Sequence, residues 1–401
     1  MNTSPSVAPS PAGCRLAGPS LSFGWLGSIA VCLPMLLLTA LLVSGGPEHM
    51  ARMAPVEKLA TLGVWGVLNA AFLAMIRTGR TDRIRAGLFI AMALSFVLTF
   101  MPNLLEVRGN IAITASNAID GKTPFCHMVI PSILIPAALK KTIIFPGSLV
   151  EGFASIGTML VIWITVSLAI GRGWCSWVCF YGGLDEACSR IARKPFLKSI
   201  DRRWTYVPLA VLIAVVLTSA ATLSPTYCEW LCPFKSVTEF EAITSVKILF
   251  QTIIFAGLFV GLVIVLPLLT KKRTQCALLC PMGAFQGWTN FANLHRIAID
   301  RDACTHCNLC VKSCPTLSIT PESVAEGRAL STCTKCGRCI DACPKKAIGY
   351  HLRGTRFRAS PRLARVLFLY PAMLLLVAMG SGMMVGAILR LVKLATTGSL
   401  L

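Results

Sequence analysis

Seven apolar runs, at roughly 25–44, 56–76, 86–105, 151–171, 204–223, 248–269 and 364–388, dominate this chain of 401 residues. A helix rises about 1.5 Å per residue, so about 20 apolar residues cross the ~30 Å hydrocarbon core of a bilayer. With 55% hydrophobic and 14% charged residues, the chain is too apolar for a soluble domain, whose apolar share is about 45–50% even with glycine counted. The expected fold is an α-helical polytopic membrane protein of about seven spans. One polar, cysteine-rich stretch, about 270–363, interrupts it before the last run. The expected divisions are a disordered Ser/Pro-rich tail over 1–24, an N-terminal membrane region of three spans plus an outer loop over 25–150, and a membrane core over 151–290. A soluble α+β domain follows over 291–355, and a C-terminal span over 356–401.

A formal net charge of +21 would suit nucleic acid if it were gathered into one binding face. Its distribution points elsewhere. With the N-terminus inside, the inner segments hold 27 of the 38 Lys and Arg and the outer segments hold 10, the asymmetry of the positive-inside rule. Nucleic acid is therefore excluded as a partner, and the cytoplasmic (inner) membrane is the expected location. Trp25, Trp174, Trp177, Trp204, Trp230 and Trp288 fall near the expected membrane edges, where an amphipathic ring is favoured. The start "MNTSPSVAPSPAGCRLAGPS" has neither the basic region nor the cleavage site of a signal peptide, so the first run reads as a retained helix.

Within the polar stretch, "CTHCNLCVKSCP" at 304–315 is repeated as "CTKCGRCIDACP" at 333–344. Each is C-x2-C-x2-C-x3-C-P. Three thiolates in one turn face one cubane, while the fourth, carried off by the following helix, reaches the neighbouring cluster. Cys304, Cys307, Cys310 and Cys343 are thus expected to hold one [4Fe–4S] cluster, and Cys333, Cys336, Cys339 and Cys314 a second. Structural zinc, which takes two C-x2-C pairs per ion, explains neither the third cysteine nor the prolines Pro315 and Pro344. The flanking "HRIAID" and "AIGYHL" read as short strands, as a resemblance to bacterial two-cluster ferredoxins implies. Thiolate clusters need a reducing compartment, which again places this stretch in the cytoplasm.

Three C-x3-C pairs lie beside the apolar runs: Cys175/Cys179, Cys228/Cys232 and Cys276/Cys280. Residues at i and i+4 share one helix face. The first and last pairs follow basic residues (Arg172; Lys271, Lys272 and Arg273) and align further, Gly182 with Gly283 and Leu184 with Phe285. They read as an internal repeat whose four cysteines form one cytoplasmic-side site, a third cluster. "GRGWCSWVCFYGGLDE" and "QCALLCPMGAFQG", followed by the doubled ferredoxin motif, resemble the membrane-bound polyferredoxins of the NosR and NapH type over about 150–350. That resemblance implies electron transfer at the cytoplasmic membrane for respiratory reductases. Phe180 stands where the family has proline; the first 150 residues and the third pair are not covered.

The span at 204–223 starts beside Arg202 and Arg203, so Cys228 and Cys232 are expected to emerge outside. There they form a disulfide or dithiol, or a metal site with Cys126 and His127, Met128 adding a soft ligand for copper, or serve packing alone. Cys188 reads as packing, and Asp185 and Glu186 as solvating a loop. None of the five histidines is mid-span, which argues against bis-histidine haem b. The expected work is passing electrons between a cytoplasmic donor or the quinone pool and a partner redox protein, on a path that can cross the membrane. The alternative is a resemblance to CcoG, which implies copper handling in oxidase assembly; a non-redox scaffold is a third reading.

Overall fold

A computed structural model describes residues 22–106, 156–197, 200–224, 226–235, 245–355 and 361–399, together with 135, 138–140 and 243. The main helices are α1 (Trp25–Ser44), α2 (Pro55–Thr78), α3 (Asp82–Glu106), α4 (Ile156–Ala169), α5 (Phe180–Ile191), α6 (Val207–Thr222), α7 (Val246–Leu258), α8 (Pro281–Thr289) and α9 (Pro361–Thr397). Among the described residues five helical stretches are long and apolar enough to cross a membrane: Trp25–Ser44, Pro55–Thr78, Arg202–Thr222, Val246–Thr270 and Pro361–Thr397. A sixth is added if the bent pair Leu160–Ala169 and Gly171–Trp177 counts as one span. The run expected at 86–105 lies in the 25-residue α3.

Helix α9 is the spine of the bundle, packing on α1, α2 and α3, while α5 lies along α3 and α8 along α6. Its 37 residues extend to about 55 Å, more than a hydrocarbon core requires, and its first turns serve the soluble domain. Arg365, buried there, donates to Met75 O at 2.7 Å and Thr81 Oγ1 at 3.0 Å. It thereby gives a second donor to a carbonyl near the end of α2 that already accepts from Gly79 N–H at 3.1 Å. Phe368 stacks on Tyr350 with ring centroids 4.6 Å apart.

In the soluble domain, β1 (His295–Ile299) pairs antiparallel with β2 (Ile348–Leu352), His295 opposite Leu352 and Ile299 opposite Ile348. These are the two expected strands. Between them the backbone repeats with the 29-residue offset of the cysteines: His306 and Lys335 have φ 51° and 52°, Asn308 and Gly337 56° and 84°, Leu317 and Lys346 56° and 52°. Left-handed residues at fixed places in each C-x2-C-x2-C turn aim backbone N–H groups into the concavity, as anion-binding nests do.

The domain is docked rather than tethered. Lys335, 1% exposed, donates to Ile170 O (3.0 Å), Asn290 Oδ1 (2.7 Å) and Asn293 Oδ1 (2.9 Å), three acceptors for the three protons of an ammonium group. The Asp341 carboxylate accepts from Thr81 N–H and Asp82 N–H (2.8 Å to the latter) and so caps α3 from another domain.

Candidate cluster sites

The eight ferredoxin-type cysteines lie in two neighbouring sets. Cys304, Cys307, Cys310 and Cys343 line one cavity. Cys339 lies within electrostatic reach of Cys333, Cys336 and Cys314, and then of Cys310 in the first group. The sulfurs are met by backbone donors at the same offset: Ser318 N–H to Cys314 Sγ (3.2 Å) and Ala347 N–H to Cys343 Sγ (3.3 Å). Cys307 is exposed whereas Cys336 and Cys339 are buried, so the first group faces outward and the second faces the bundle. No group of three or more His, Cys, Asp or Glu among the described residues is arranged to hold a single metal ion. Ligands of a cubane stand around four irons rather than one, which suits this spacing.

The C-x3-C pairs sit beneath the second group. At the end of α4 the chain bends by 99°, through Gly171 at φ 55°. A Cβ there would lie 2.4 Å from Asn290 Oδ1, so only glycine allows both the conformation and the approach. Cys175 and Cys179 follow the bend. In the second repeat Lys271 (φ 58°) takes a left-handed turn before Arg273, and Cys276 and Cys280 follow. Val178 (φ −127°, ψ −37°) and Leu279 (φ −130°, ψ −36°) match, as do Cys179 (−68°, 103°) and Cys280 (−62°, 112°). Phe180 in place of the family's proline therefore leaves the local backbone unchanged. Proline's φ is already that of a first helical residue, and the stacking of Phe180 on Phe96 at 4.0 Å holds the turn instead.

The two repeats clasp each other. Arg273 Nη2 donates to Cys175 O (2.6 Å), and Arg172 Nη2 to Cys276 O (3.2 Å), so each arginine serves the first cysteine of the other repeat. Glycines make room: a Cβ on Gly182 would stand 2.4 Å from Arg273 Nη2, and one on Gly283 3.1 Å from Arg172 Nη2. Gly283 N–H donates to Cys280 Sγ at 3.2 Å, and Arg273 Nη2 to Cys276 Sγ at 3.1 Å. All four cysteines are buried. Burial, and then the charge of Cys175, push the Cys280 thiol up to about 12 and the Cys179 thiol well above its ordinary range. Ionising thiols buried in this way requires a bound cationic centre.

Beside them lies a buried ionic network that sequence reasoning missed. Arg85, 0% exposed, donates to Cys336 O (3.1 Å), Ser176 O (2.6 Å) and Glu186 Oε1 (3.0 Å). It bridges the second ferredoxin loop to the C-x3-C site. Glu186 is also paired with Arg190 (2.6 Å) and lies 3.6 Å from Arg273. Burial opposes its ionisation, yet Arg85, Arg273 and Arg190 hold its carboxyl well below the usual range. Asp185 accepts from Cys276 N–H at 3.1 Å, and burial raises its carboxyl to about 7 against the pull of Arg273. Asp185 and Glu186 thus do not solvate a loop; both are fully buried. Arg85, Arg172, Arg190 and Arg273 face Asp82, Asp185 and Glu186. The surplus cation suits a [4Fe–4S] centre with four thiolates, whose net charge is about −2.

Trp174 and Trp177 are likewise not membrane-edge anchors. Both are buried, and Trp177 Nε1 donates to Lys335 O, because the bend at Gly171 turns this segment under the soluble domain. The third pair does not project away from the bundle either. After Leu223 (φ 53°) the chain folds back, Thr226 Oγ1 meeting Ser219 Oγ (2.9 Å) and Val215 O (3.4 Å). Lys247 lies over Trp230 and Lys235 over Phe255, so residues 230–235 descend along α7. Phe234 stacks on Tyr181 at 4.0 Å, two residues past Cys179. Cys126, His127 and Met128 lie outside the described residues.

The family pattern for a 4Fe–4S dicluster domain matches 296–344, and that for a 4Fe–4S binding domain matches three times, at 152–198, 204–248 and 252–297. Each of the three contains one C-x3-C pair. The third pair thus belongs to the same repeat, contrary to the expectation that the resemblance leaves it out. MauN, the methylamine utilization ferredoxin-type protein of Paracoccus denitrificans, is 31% identical over 56% of this chain and 72% of its own length. This chain is a membrane-bound polyferredoxin of the NosR and NapH type. The regulatory protein NosR of Pseudomonas aeruginosa is 29% identical over 46% of the polyferredoxin and 26% of its own length. YccM of Escherichia coli is 26% identical over 42% of it, and the polyferredoxin spans about half of that relative, 48%. No solved structure matches it.

Proposed function

We propose that the polyferredoxin relays single electrons through three [4Fe–4S] centres, from a cytoplasmic donor or the quinone pool to a partner redox protein. Cys304, Cys307, Cys310 and Cys343 would hold the outer centre, Cys333, Cys336, Cys339 and Cys314 the middle one, and Cys175, Cys179, Cys276 and Cys280 the one at the membrane. Each centre, when bound, supplies reversible one-electron exchange and no substrate chemistry. The observation that carries the reading is the Arg85 side chain, which joins Cys336 O to Ser176 O and leaves no solvent layer between the middle and inner sites. In this reading the soluble domain lies on the cytoplasmic face of a seven-span protein, and the exposure of Cys307 supports a cytoplasmic partner meeting the relay there. Cys228 and Cys232, with Cys126 and His127, would extend the path by a further redox or metal site, since Phe234 and Tyr181 bring the two pairs' segments into contact.

Iron and acid-labile sulfide per polypeptide in anaerobically purified protein test the count. About 12 irons fit three cubanes, about 8 would confine clusters to the soluble domain, and about 16 would add the third pair. A double Cys175→Ala/Cys276→Ala change that leaves iron content untouched would exclude the inner site.

A further inference from the structure

A cleft of about 300 Å3 opens beside β1, and the relay has no use for it. His295, Lys335 and Cys333 line it together with Arg296, Arg328 and Arg353. Among the described residues Glu326 is the one acid in its wall, and it is paired with Arg328 at 3.1 Å. The cleft stays cationic even beside a middle centre of charge about −2, because a centre's charge is shared among ligands facing several ways. Arg296 is exposed and has no acid paired with it among the described residues. His295 is 7% exposed, and its Nδ1 has no hydrogen-bond partner. Buried polar atoms are almost always satisfied, so an orphaned imidazole nitrogen in the wall of a cationic cleft points to a ligand.

The surroundings identify the ligand class. Asn293 Nδ2 donates to Ser167 O and Leu168 O in the last turn of α4, which fixes the cleft at the level where an apolar helix ends. Along the same edge Trp288, Phe291 and Leu294 are 68%, 63% and 56% exposed. Trp288 continues a row of rings through Phe285 to Trp163 on α4, and Arg353 donates to Phe291 O. An exposed aromatic edge of this kind belongs in the headgroup layer, and guanidinium forks beside it match phosphate oxygens.

We propose that this cleft binds the phosphate headgroup of an anionic phospholipid from the leaflet beneath the soluble domain. The acyl chains would run down past Trp288 while Arg296, Arg353 and His295 donate to the phosphate. Full-length protein with its clusters, in detergent with equal phosphatidylglycerol and phosphatidylcholine, tests this by native mass spectrometry. Wild type is expected to retain phosphatidylglycerol selectively, with affinity falling about fivefold for each charge removed. Arg296→Gln alone is the fold-safe variant, its side chain having no hydrogen bond among the described residues; Arg296→Gln/Arg353→Gln should lose about 25-fold. Lys346→Gln, an equal charge loss elsewhere on the domain, should change nothing. Equal retention of the two lipids, or unaltered selectivity in Arg296→Gln, overturns the site. Inorganic phosphate that binds lipid-free protein with the same arginine dependence, and displaces phosphatidylglycerol, would overturn the lipid assignment in favour of a free anion.

Discussion

Gly171 shows how much rests on one absent methyl group. Alanine there would sit in a left-handed conformation and strike Asn290 Oδ1, the atom that accepts from Lys335. Strain of about 1–3 kcal/mol and the loss of a charged hydrogen bond add, so Gly171→Ala should destabilise the docked domain by about 3 kcal/mol. Hydrogen exchange of β1 and β2 in wild type and variant measures it. Arg273 is the residue on which the inner site turns: Arg273→Gln removes donors to Cys175 O, Ser176 Oγ and Cys276 Sγ and strips the site of its surplus cation. Iron content is expected to fall from about 12 toward about 8 per chain, the dicluster domain keeping its own. The paramagnetic resonance of the reduced protein should then show the two outer centres only.

Helices show where sequence reasoning reaches and where it stops. Strands β1 and β2 and the doubled cysteine turns were legible because ligand spacing, proline and strand pattern are all written within a dozen neighbouring residues. Arg85, Asp185 and Glu186 were not: local pairs such as Glu186 with Arg190 exist, but the bonds that join these residues to the cysteine loops reach 91 to 251 positions along the chain, and no local periodicity marks a charge destined for burial. One signal was available: Arg172 and Arg273 each stand three residues before the first cysteine of a pair, a repeat of chemistry as well as of flank. The return of the chain after Leu223 was hidden because the length of a span does not determine the path of the backbone beyond its end. Capping in trans is another such long-range matter. Asp341→Ala removes the acceptor at the start of α3 and should cost about 1–2 kcal/mol, read as a lower melting temperature, with Asp341→Asn recovering part of the loss.

The whole molecule is one body made of two materials, with His295 at the seam. Burial, and then the charge of Lys335, lower its pKa to about 4. A depressed histidine favours its neutral form in the fold, so its contribution is intact above the unfolded value of about 6.5 and is lost as pH falls toward 4. The melting temperature should therefore drop over that window, and His295→Gln should flatten the slope there; an unchanged slope would remove His295 from the account. The clasp of Arg172 and Arg273 across the repeats also sets an order of assembly. When α5 leaves the ribosome, Arg85 and Glu186 can meet, but the carbonyl of Cys175 must wait for Arg273, and Arg85 for the carbonyl of Cys336. Until residue 273 is made, the first repeat therefore lacks the contact that closes it on the second. A nascent chain stopped before residue 273 lacks the guanidinium that closes the two repeats on each other, so under the proposed relay the inner site could accept iron only once both repeats have been made.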